Sequence, residues 1–145
     1  MSNLEDLASR VVDAGFKLHE ALGPGLLESA YELILCERLR SDGIKVDRQM
    51  PINIAYDGLT IENAFRIDLL IEDQIVVELK SLEHTLPVHM KQVLTYLRLT
   101  GLSLGFVMNF GSPTFKAGIR RVVNGHDTTF ASSRLRAMQK PVPSV

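Results

Sequence analysis

Hydrophobic residues in the first forty positions recur at intervals of three and four, which is the spacing of one face of a helix. This pattern predicts an amphipathic helix over residues 3–21, and the Gly-Pro-Gly sequence at 23–25 interrupts it. A second helix is predicted over residues 26–41. The positions of this second helix that we expect to face the interior are Leu27, Ala30, Ile34 and Leu35.

The pattern changes after residue 45 to the period of two that is typical of strands. Residues 46–56 and 61–71 predict two strands, and the Asp57-Gly58 pair between them is a strong turn signal. Residues 72–74 supply a second turn. Residues 75–80 then predict a third strand, which is mostly apolar.

The second half of the chain predicts a helix over residues 87–100, because Pro87 suits a first turn and Gly101 suits a helix end. Residues 102–110 predict a fourth strand. The order is therefore α-α-β-β-β-α-β, with one more strand if residues 119–124 pair at a sheet edge. We expect a fold of the α/β (α+β) class, with a mixed β-sheet flanked by helices.

The composition adds expectations about domains and location. With 46% hydrophobic and 23% charged residues, the 145-residue chain is too apolar to be disordered. We expect one domain over residues 1–125 and a partly ordered C-terminal extension over 126–145. No apolar run approaches the roughly 20 residues that cross a bilayer, and the N-terminus is too polar for a signal peptide. With Cys36 as the single cysteine, we expect a cytoplasmic protein without a membrane partner.

Two acidic residues interrupt the apolar strands of the centre of the chain: Asp68 in the second strand and Glu78 in the third. Side chains alternate along a strand, so Glu78 and Lys80 share one face. If the turn is centred on Asp73, Asp68 lies opposite Glu78 with Cβ atoms about 4.5–5.5 Å apart. A turn shifted by one residue would separate the two acids onto opposite faces.

Two carboxylates held this close repel each other, by about 4 kcal/mol at about 4 Å and an effective dielectric of about 20. A shared Mg²⁺ or Mn²⁺ ion would relieve this repulsion, because these ions prefer oxygen ligands. A structural salt bridge with Lys80 or Arg66 is the alternative. For a Glu-x-Lys strand considered alone, that alternative is the better explanation.

Two helical segments carry further candidate residues. Glu28 and Tyr31 lie three residues apart on one helical face, and Gln92 and Tyr96 lie four apart on another. Each has an ordinary explanation when taken alone. Glu28 suits a solvated first turn, Gln92 a surface position, and the tyrosines suit packing.

These segments together are similar to a known family. The motifs that carry the resemblance are Gly25-x-x-Glu28-x-x-Tyr31, Arg66-Ile67-Asp68, Glu78-Leu79-Lys80 and Gln92-x-x-x-Tyr96. In this order, over residues 5–124, they resemble the GxxExxY family of the PD-(D/E)XK nuclease-like superfamily. The resemblance implies a restriction-endonuclease-like core. Ile67 departs from the superfamily's proline at that position, which is not a ligand.

The resemblance implies specific roles. Asp68 and Glu78 would coordinate Mg²⁺ or Mn²⁺, and Glu28 would be a further metal-binding acid, directly or through water. Lys80 would orient the attacking water, and Gln92 would help to position that water or a phosphate. The candidate substrate contacts are Tyr31, Arg66 and Tyr96.

The leading functional hypothesis is a Mg²⁺-dependent nuclease that acts on DNA, or less favourably on RNA. The alternative is a non-catalytic module that binds nucleic acid or protein, as a homodimer or with an accessory protein. A third hypothesis is a structural protein with salt-bridged acids. A net charge of −1 argues against a protein that coats nucleic acid, but not against an enzyme that contacts few phosphates.

Basic residues and histidines give weaker indications. The spacing of the histidines fits no compact zinc motif, although His84 or His89 could contact a substrate; the four are His19, His84, His89 and His126. The basic residues predicted to contact a phosphate backbone are Arg120, Arg121, Arg134, Arg136 and Lys140.

Overall fold

The computed structural model describes residues 3–125, and the predicted C-terminal extension lies outside them. The helices are α1 (Leu4–Leu22), α2 (Glu28–Ser41), α3 (Pro87–Thr100) and the short α4 (Phe115–Gly118). The strands are β1 (Val46–Tyr56), β2 (Leu59–Ile71), β3 (Ile75–Lys80), β4 (Leu104–Asn109) and β5 (Ile119–Val123). None of the helices within residues 3–125 combines the length and the apolar character needed to span a membrane.

The five strands form one mixed sheet in the order β1-β2-β3-β4-β5. β3 and β4 pair in parallel because α3 crosses between them, whereas the other neighbours are antiparallel. The predicted fold class and element order, with a fifth strand, are confirmed. The sequence pattern did not predict α4, which is only four residues long and therefore has no periodicity to detect.

The inward face of α2 differs from the prediction. Leu35 is buried as expected, but Leu27 is 77% exposed and Ile34 is 39% exposed. The prediction was wrong for Leu27 because the helix begins at Glu28, which leaves Leu27 outside it as the N-cap, and it was wrong for Ile34 because that residue lies beside the buried face of the helix. The buried residues of α2 are Tyr31, Glu32, Leu35, Cys36 and Leu39.

Helices cover both faces of the sheet and give two hydrophobic cores. α1 and α2 pack on the face that carries Val77 and Leu79 of β3. α3 packs on the opposite face, where its residues Val93 and Leu97 contact Val76. Because side chains alternate along β3, Glu78 lies on the α3 side of the sheet. Glu78 therefore lies on the central strand of the sheet, on the face that α3 covers.

Candidate active site

The sheet opens at the point where β2 and β3 carry their acids. The two strands pair from Ile71↔Ile75 to Leu69↔Val77, which is the register centred on Asp73 that the sequence predicted. The pairing ends there, one position before Asp68 and Glu78. Oδ2 of Asp68 accepts a hydrogen bond of 2.9 Å from the backbone N–H of Leu79. The Asp68 side chain thus satisfies a donor of β3 beyond the last paired residues, and this bond fixes the carboxylate at the opening.

Glu78 is buried, with 6% of its surface exposed, and its carboxyl group hydrogen-bonds to that of Asp68. Burial raises the pKa of Glu78 to about 9, and the hydrogen bond and negative charge of Asp68 act in the same direction. The charge of Lys80 lowers this pKa but does not cancel the increase. A proton therefore resides on Glu78 at neutral pH when no cation is bound.

The acids are not neutralised by a salt bridge. Within residues 3–125, neither Lys80 nor Arg66 forms an ion pair or a side-chain hydrogen bond with Asp68, Glu78 or any other residue. Lys80 is half-buried beside the acids, and Arg66 is exposed. The salt-bridge alternative is therefore wrong for the described part of the chain, and the charge of Lys80 acts on Glu78 without an ion pair.

The carboxylate oxygens of Asp68 and Glu78 meet part of the coordination requirement of a hard divalent ion. Mg²⁺ is commonly held by one or two carboxylates, with waters and substrate phosphates completing its shell. Asp68 and Glu78 supply two such carboxyl groups, and within residues 3–125 neither of them forms a salt bridge. Over residues 3–125, no group of three or more acidic, histidine or cysteine side chains is arranged to hold a metal ion. The prediction that Glu28 binds the metal directly, as a third acid beside Asp68 and Glu78, is therefore not supported by the described residues.

Glu28 lies instead at the rim of a cavity of about 510 Å³ that reaches Asp68. It is exposed as the first residue of α2, and its negative charge raises the pKa of both Glu78 and Glu32. A contact between Glu28 and a metal through water stays a prediction. The residues lining the cavity are Leu26, Leu27, Glu28, Ser29, Glu32, Gln49, Asp68, Leu79 and Ser81.

Tyr31 holds the turn that leads into α2. Its hydroxyl donates to the carbonyl oxygen of Gly23 at 2.5 Å and accepts from the N–H of Leu26 at 3.2 Å. Ser81, directly after β3, donates to the carbonyl oxygen of Leu26 at 2.6 Å. The turn also needs Gly25, whose φ of +117° suits only glycine. The Gly-x-x-Glu-x-x-Tyr motif thus fixes the start of α2 against the end of β3.

This placement corrects one predicted role. Tyr31 has no exposed surface, and its ring stacks on Phe110 with centroids 4.5 Å apart. A fully buried side chain whose hydroxyl already has two partners does not contact a substrate in this structure. Tyr31 is a packing residue that supports the position of Glu28.

Two residues of the site were not predicted from the sequence: Glu32 and Gln49. Glu32 is buried one helical turn after Glu28, and burial raises its pKa while the hydrogen bond from Gln49 lowers it. The amide nitrogen of Gln49 donates to Glu32 at 2.8 Å and to Asp68 at 3.0 Å. The four-residue spacing from Glu28 could have indicated Glu32, whereas a glutamine in a strand gave no signal.

Helix α3 adds a polar and aromatic edge to the site. Nε2 of Gln92 donates to the hydroxyl of Tyr96 at 2.9 Å, as their spacing allowed. Burial raises the pKa of Tyr96, and the charge of Glu78 raises it further, so the pKa of this hydroxyl depends on the acid pair. The Tyr96 ring stacks on Phe65 of β2 with centroids 4.3 Å apart. Gln92 and Tyr96 therefore border the acids, and their proposed contacts with water or substrate stay predictions.

The basic residues of β5 are engaged elsewhere. Arg121 forms an ion pair of 2.6 Å with Glu5, and Arg120 donates to the carbonyl oxygen of Ala117 at 2.8 Å. β5 is at the edge of the sheet opposite to β1, with β4 between it and β3. The other basic residues of that prediction, Arg134, Arg136 and Lys140, lie outside the described residues, as does His126.

The described histidines hold the fold or lie on the surface. His19 is buried, and its Nε2 lies 2.8 Å from the carbonyl oxygen of Ser112. Nδ1 of His89 accepts from the N–H of Leu86 at the start of α3. Burial lowers the pKa of His89, and the positive charge of Lys80 lowers it further. His84 is exposed beside Glu83. Substrate contacts of His84 and His89 remain predictions.

Comparison with known proteins gives one match. A family model described as the PD-(D/E)XK nuclease superfamily matches residues 5–122, which span most of the chain and all of the residues that border the acid pair. No curated protein matches the chain, and no solved structure matches it.

Proposed function

Because the chain belongs to the PD-(D/E)XK nuclease superfamily, we propose that it is a divalent-metal-dependent nuclease that hydrolyses phosphodiester bonds in DNA. The observation that carries the proposal is the pair formed by the half-buried Asp68 and the buried Glu78. Within residues 3–125 this pair forms no salt bridge, although the ammonium group of Lys80 lies beside it. The motif order of Glu28, Tyr31, Gln92 and Tyr96 supports placement in the GxxExxY family of that superfamily.

In the proposed reaction, Asp68 and Glu78 would hold Mg²⁺ or Mn²⁺. When bound, the ion would supply Lewis-acid polarisation of the phosphoryl group and lower the pKa of a water molecule. Lys80 lies on the strand face of Glu78, two residues further on, where its ammonium group can orient the attacking water and stabilise negative charge on the phosphate oxygens. Glu28 adds negative charge at the cavity rim.

Three side chains around the acids suit contacts with the substrate. Arg66 is exposed on the strand of Asp68 and makes no ion pair with another residue of the range 3–125, so its guanidinium group is available to a phosphate. Gln92 is exposed on α3 beside the half-buried Tyr96. These groups would contact the backbone and leave sequence preference to other parts of the surface.

The test is a cleavage assay of the purified protein with linear, nicked and single-stranded DNA, and with RNA, in Mg²⁺ or Mn²⁺. We expect cleavage of DNA that chelators abolish. The variants Asp68→Ala and Glu78→Gln should lose at least a hundredfold in rate, since each removes a metal ligand. The matched control is Glu62→Gln, which removes an exposed acid near the start of β2. Cleavage that survives both site variants would come from a contaminant and contradict the proposal.

A second candidate function is a binding module that retains the fold without catalysis. The observation that favours it is the self-contained hydrogen bonding of Asp68, whose carboxylate already has Gln49, Leu79 and Glu78 as partners. Calorimetry separates the two functions. The nuclease requires Mn²⁺ binding that weakens in Asp68→Ala, whereas nucleic-acid binding without metal binding or cleavage would favour the module.

A further inference from the structure

Gln49 occupies an irregular position in β1, directly across from the acid of β2. The pairing of β1 with β2 includes Arg48↔Leu69 and Met50↔Ile67, and it omits Gln49 between them. The backbone of Gln49 has a φ of +50°, in the left-handed region that residues other than glycine and asparagine rarely occupy. This conformation turns the residue out of the regular alternation of the strand.

The side chain released in this way connects two carboxylates. The amide nitrogen of Gln49 has two N–H groups; one reaches Oε1 of Glu32 at 2.8 Å and the other reaches Oδ1 of Asp68 at 3.0 Å. The other oxygen of Asp68 is held by the N–H of Leu79. Each oxygen of Asp68 therefore accepts a hydrogen bond from an N–H group, Oδ1 from Gln49 and Oδ2 from Leu79, and these two bonds fix the orientation of the carboxylate.

We propose that Gln49 is a positioning residue of the active site, which orients the Asp68 carboxylate for metal binding and holds Glu32 of α2 beside it. The inference rests on the proposed function. A fixed outer partner sets the direction in which a ligating carboxylate presents its lone pairs, and such partners strongly affect metal affinity. Gln49 acts through Asp68 and does not touch the metal or the substrate.

The unfavourable backbone conformation of Gln49 is the reason for assigning it a positioning role rather than a purely structural one. Glycine or asparagine would adopt a φ of +50° with less strain, so glutamine is not the residue that best stabilises this position. Asparagine carries the same amide on a side chain one methylene shorter, which cannot reach both acids from the same backbone position. Gln49 keeps a strained backbone conformation while its side chain bonds to two acids, as is expected of a residue whose role is to position them.

The experiment uses the full chain and two variants, Gln49→Asn and Gln49→Gly, with Mn²⁺ affinity measured by calorimetry. Both variants relieve the backbone strain but weaken or remove the hydrogen bond to the buried Glu32, so their melting temperatures should fall by only a few degrees, about 5 °C or less. Their affinity for Mn²⁺ should fall by about tenfold or more. The matched control is Asn63→Gly, which relieves a φ of +52° at an exposed position of β2 and should leave Mn²⁺ affinity unchanged.

A second readout needs no metal. If Gln49 orients Asp68, then Gln49→Asn should shift the NMR signal of the Leu79 amide and accelerate its hydrogen exchange, because Asp68 accepts from that amide. Asn63→Gly should change neither. A Leu79 amide and a Mn²⁺ affinity that both match the wild type would overturn the proposal, as would a shifted amide with unchanged affinity. If the wild type binds no Mn²⁺, the proposed function fails, and the Leu79 amide still decides whether Gln49 orients Asp68.

Discussion

The carboxyl groups of Asp68 and Glu78 share a hydrogen bond at the point where β2 and β3 cease to pair. A hydrogen bond between two carboxyl groups requires one proton. In the metal-free protein that proton compensates part of the charge that a divalent cation would compensate in the complex. Under the proposed function, a proton and a divalent cation would therefore compete for the same pair of carboxyl groups, and this competition leads to predictions about pH and about proton release.

The stability of the metal-free protein should fall as the pH rises. The pKa of Glu78 is raised from 4.5 to about 9, so the native state binds a proton that the unfolded chain releases. The stabilisation from this proton is complete below about pH 4.5 and is lost towards pH 9, at up to about 1.4 kcal/mol per pH unit. Denaturant unfolding in chelator at pH 5, 7 and 9 measures the slope.

The variant Glu78→Gln, which cannot ionise, tests the assignment of this slope. Its free energy of unfolding should depend much less on pH between 5 and 9, and it should exceed that of the wild type at pH 9. The exposed control Glu62→Gln should keep the wild-type slope. Equal slopes for the wild type and Glu78→Gln would show that the carboxyl group does not titrate in this range.

Binding of Mn²⁺ at pH 7 should release a proton. Because the pKa of Glu78 is about 9 in the metal-free protein, the ion must displace that proton in order to bind the carboxylate. Calorimetry in two buffers with different ionisation enthalpies gives the number of protons released, which we expect to be about one, and the affinity should rise with pH. A heat of binding that is independent of the buffer would contradict direct ligation by Glu78.

Replacing Lys80 should separate catalysis from metal binding. Lys80 forms no ion pair with another residue between positions 3 and 125, so Lys80→Met should change the melting temperature little and leave Mn²⁺ affinity nearly unaltered. The cleavage rate at saturating metal should fall by about 10²–10³, the effect of removing one stabilising group from an active site. The control is Lys91→Met, an exposed lysine of α3. A lysine that only supported the fold would lower stability and rate together.

The Tyr31→Phe variant should reveal the support of the turn before α2. It removes the hydroxyl that joins Gly23 and Leu26, and the variant should lose about 1–3 kcal/mol of unfolding free energy. The control Tyr56→Phe alters a tyrosine that is 73% exposed and should stay within about 0.5 kcal/mol of the wild type. Denaturant unfolding of both variants checks the difference, and equal losses would refute the role of the Tyr31 hydroxyl.

The sequence predicted the acid pair because short-range chemistry determines it. The alternation of β2 and β3 and a turn centred on Asp73 fix which residues face each other, so Asp68 could be placed beside Glu78. The sequence did not predict that the strands separate there, because separation depends on how α2 and β1 pack around Asp68. It also could not indicate Gln49, since a left-handed residue inside a strand is a consequence of tertiary contacts.

The errors on α2 have a different origin. Periodicity alone does not define where a helix starts, and a shift of the start from residue 26 to Glu28 changed the assignment of Leu27. The buried Glu32 shows the same limitation. Hydrophobic periodicity treats a charged residue as a surface residue, although here hydrogen bonding by Gln49 makes burial of the acid possible.

The β1–β2 hairpin extends well beyond the part of β2 that pairs with β3, and its outer end forms a separate tip. Residues 55–64 are all exposed. The last pair before the turn joins Tyr56 of β1 to Leu59 of β2. Every residue assigned to the chemistry lies outside this tip. The tip can therefore be shortened, extended or exchanged without rebuilding the candidate site. In protein engineering, the turn at Asp57 is the position at which a separate recognition module could be inserted to direct the proposed nuclease to a chosen target.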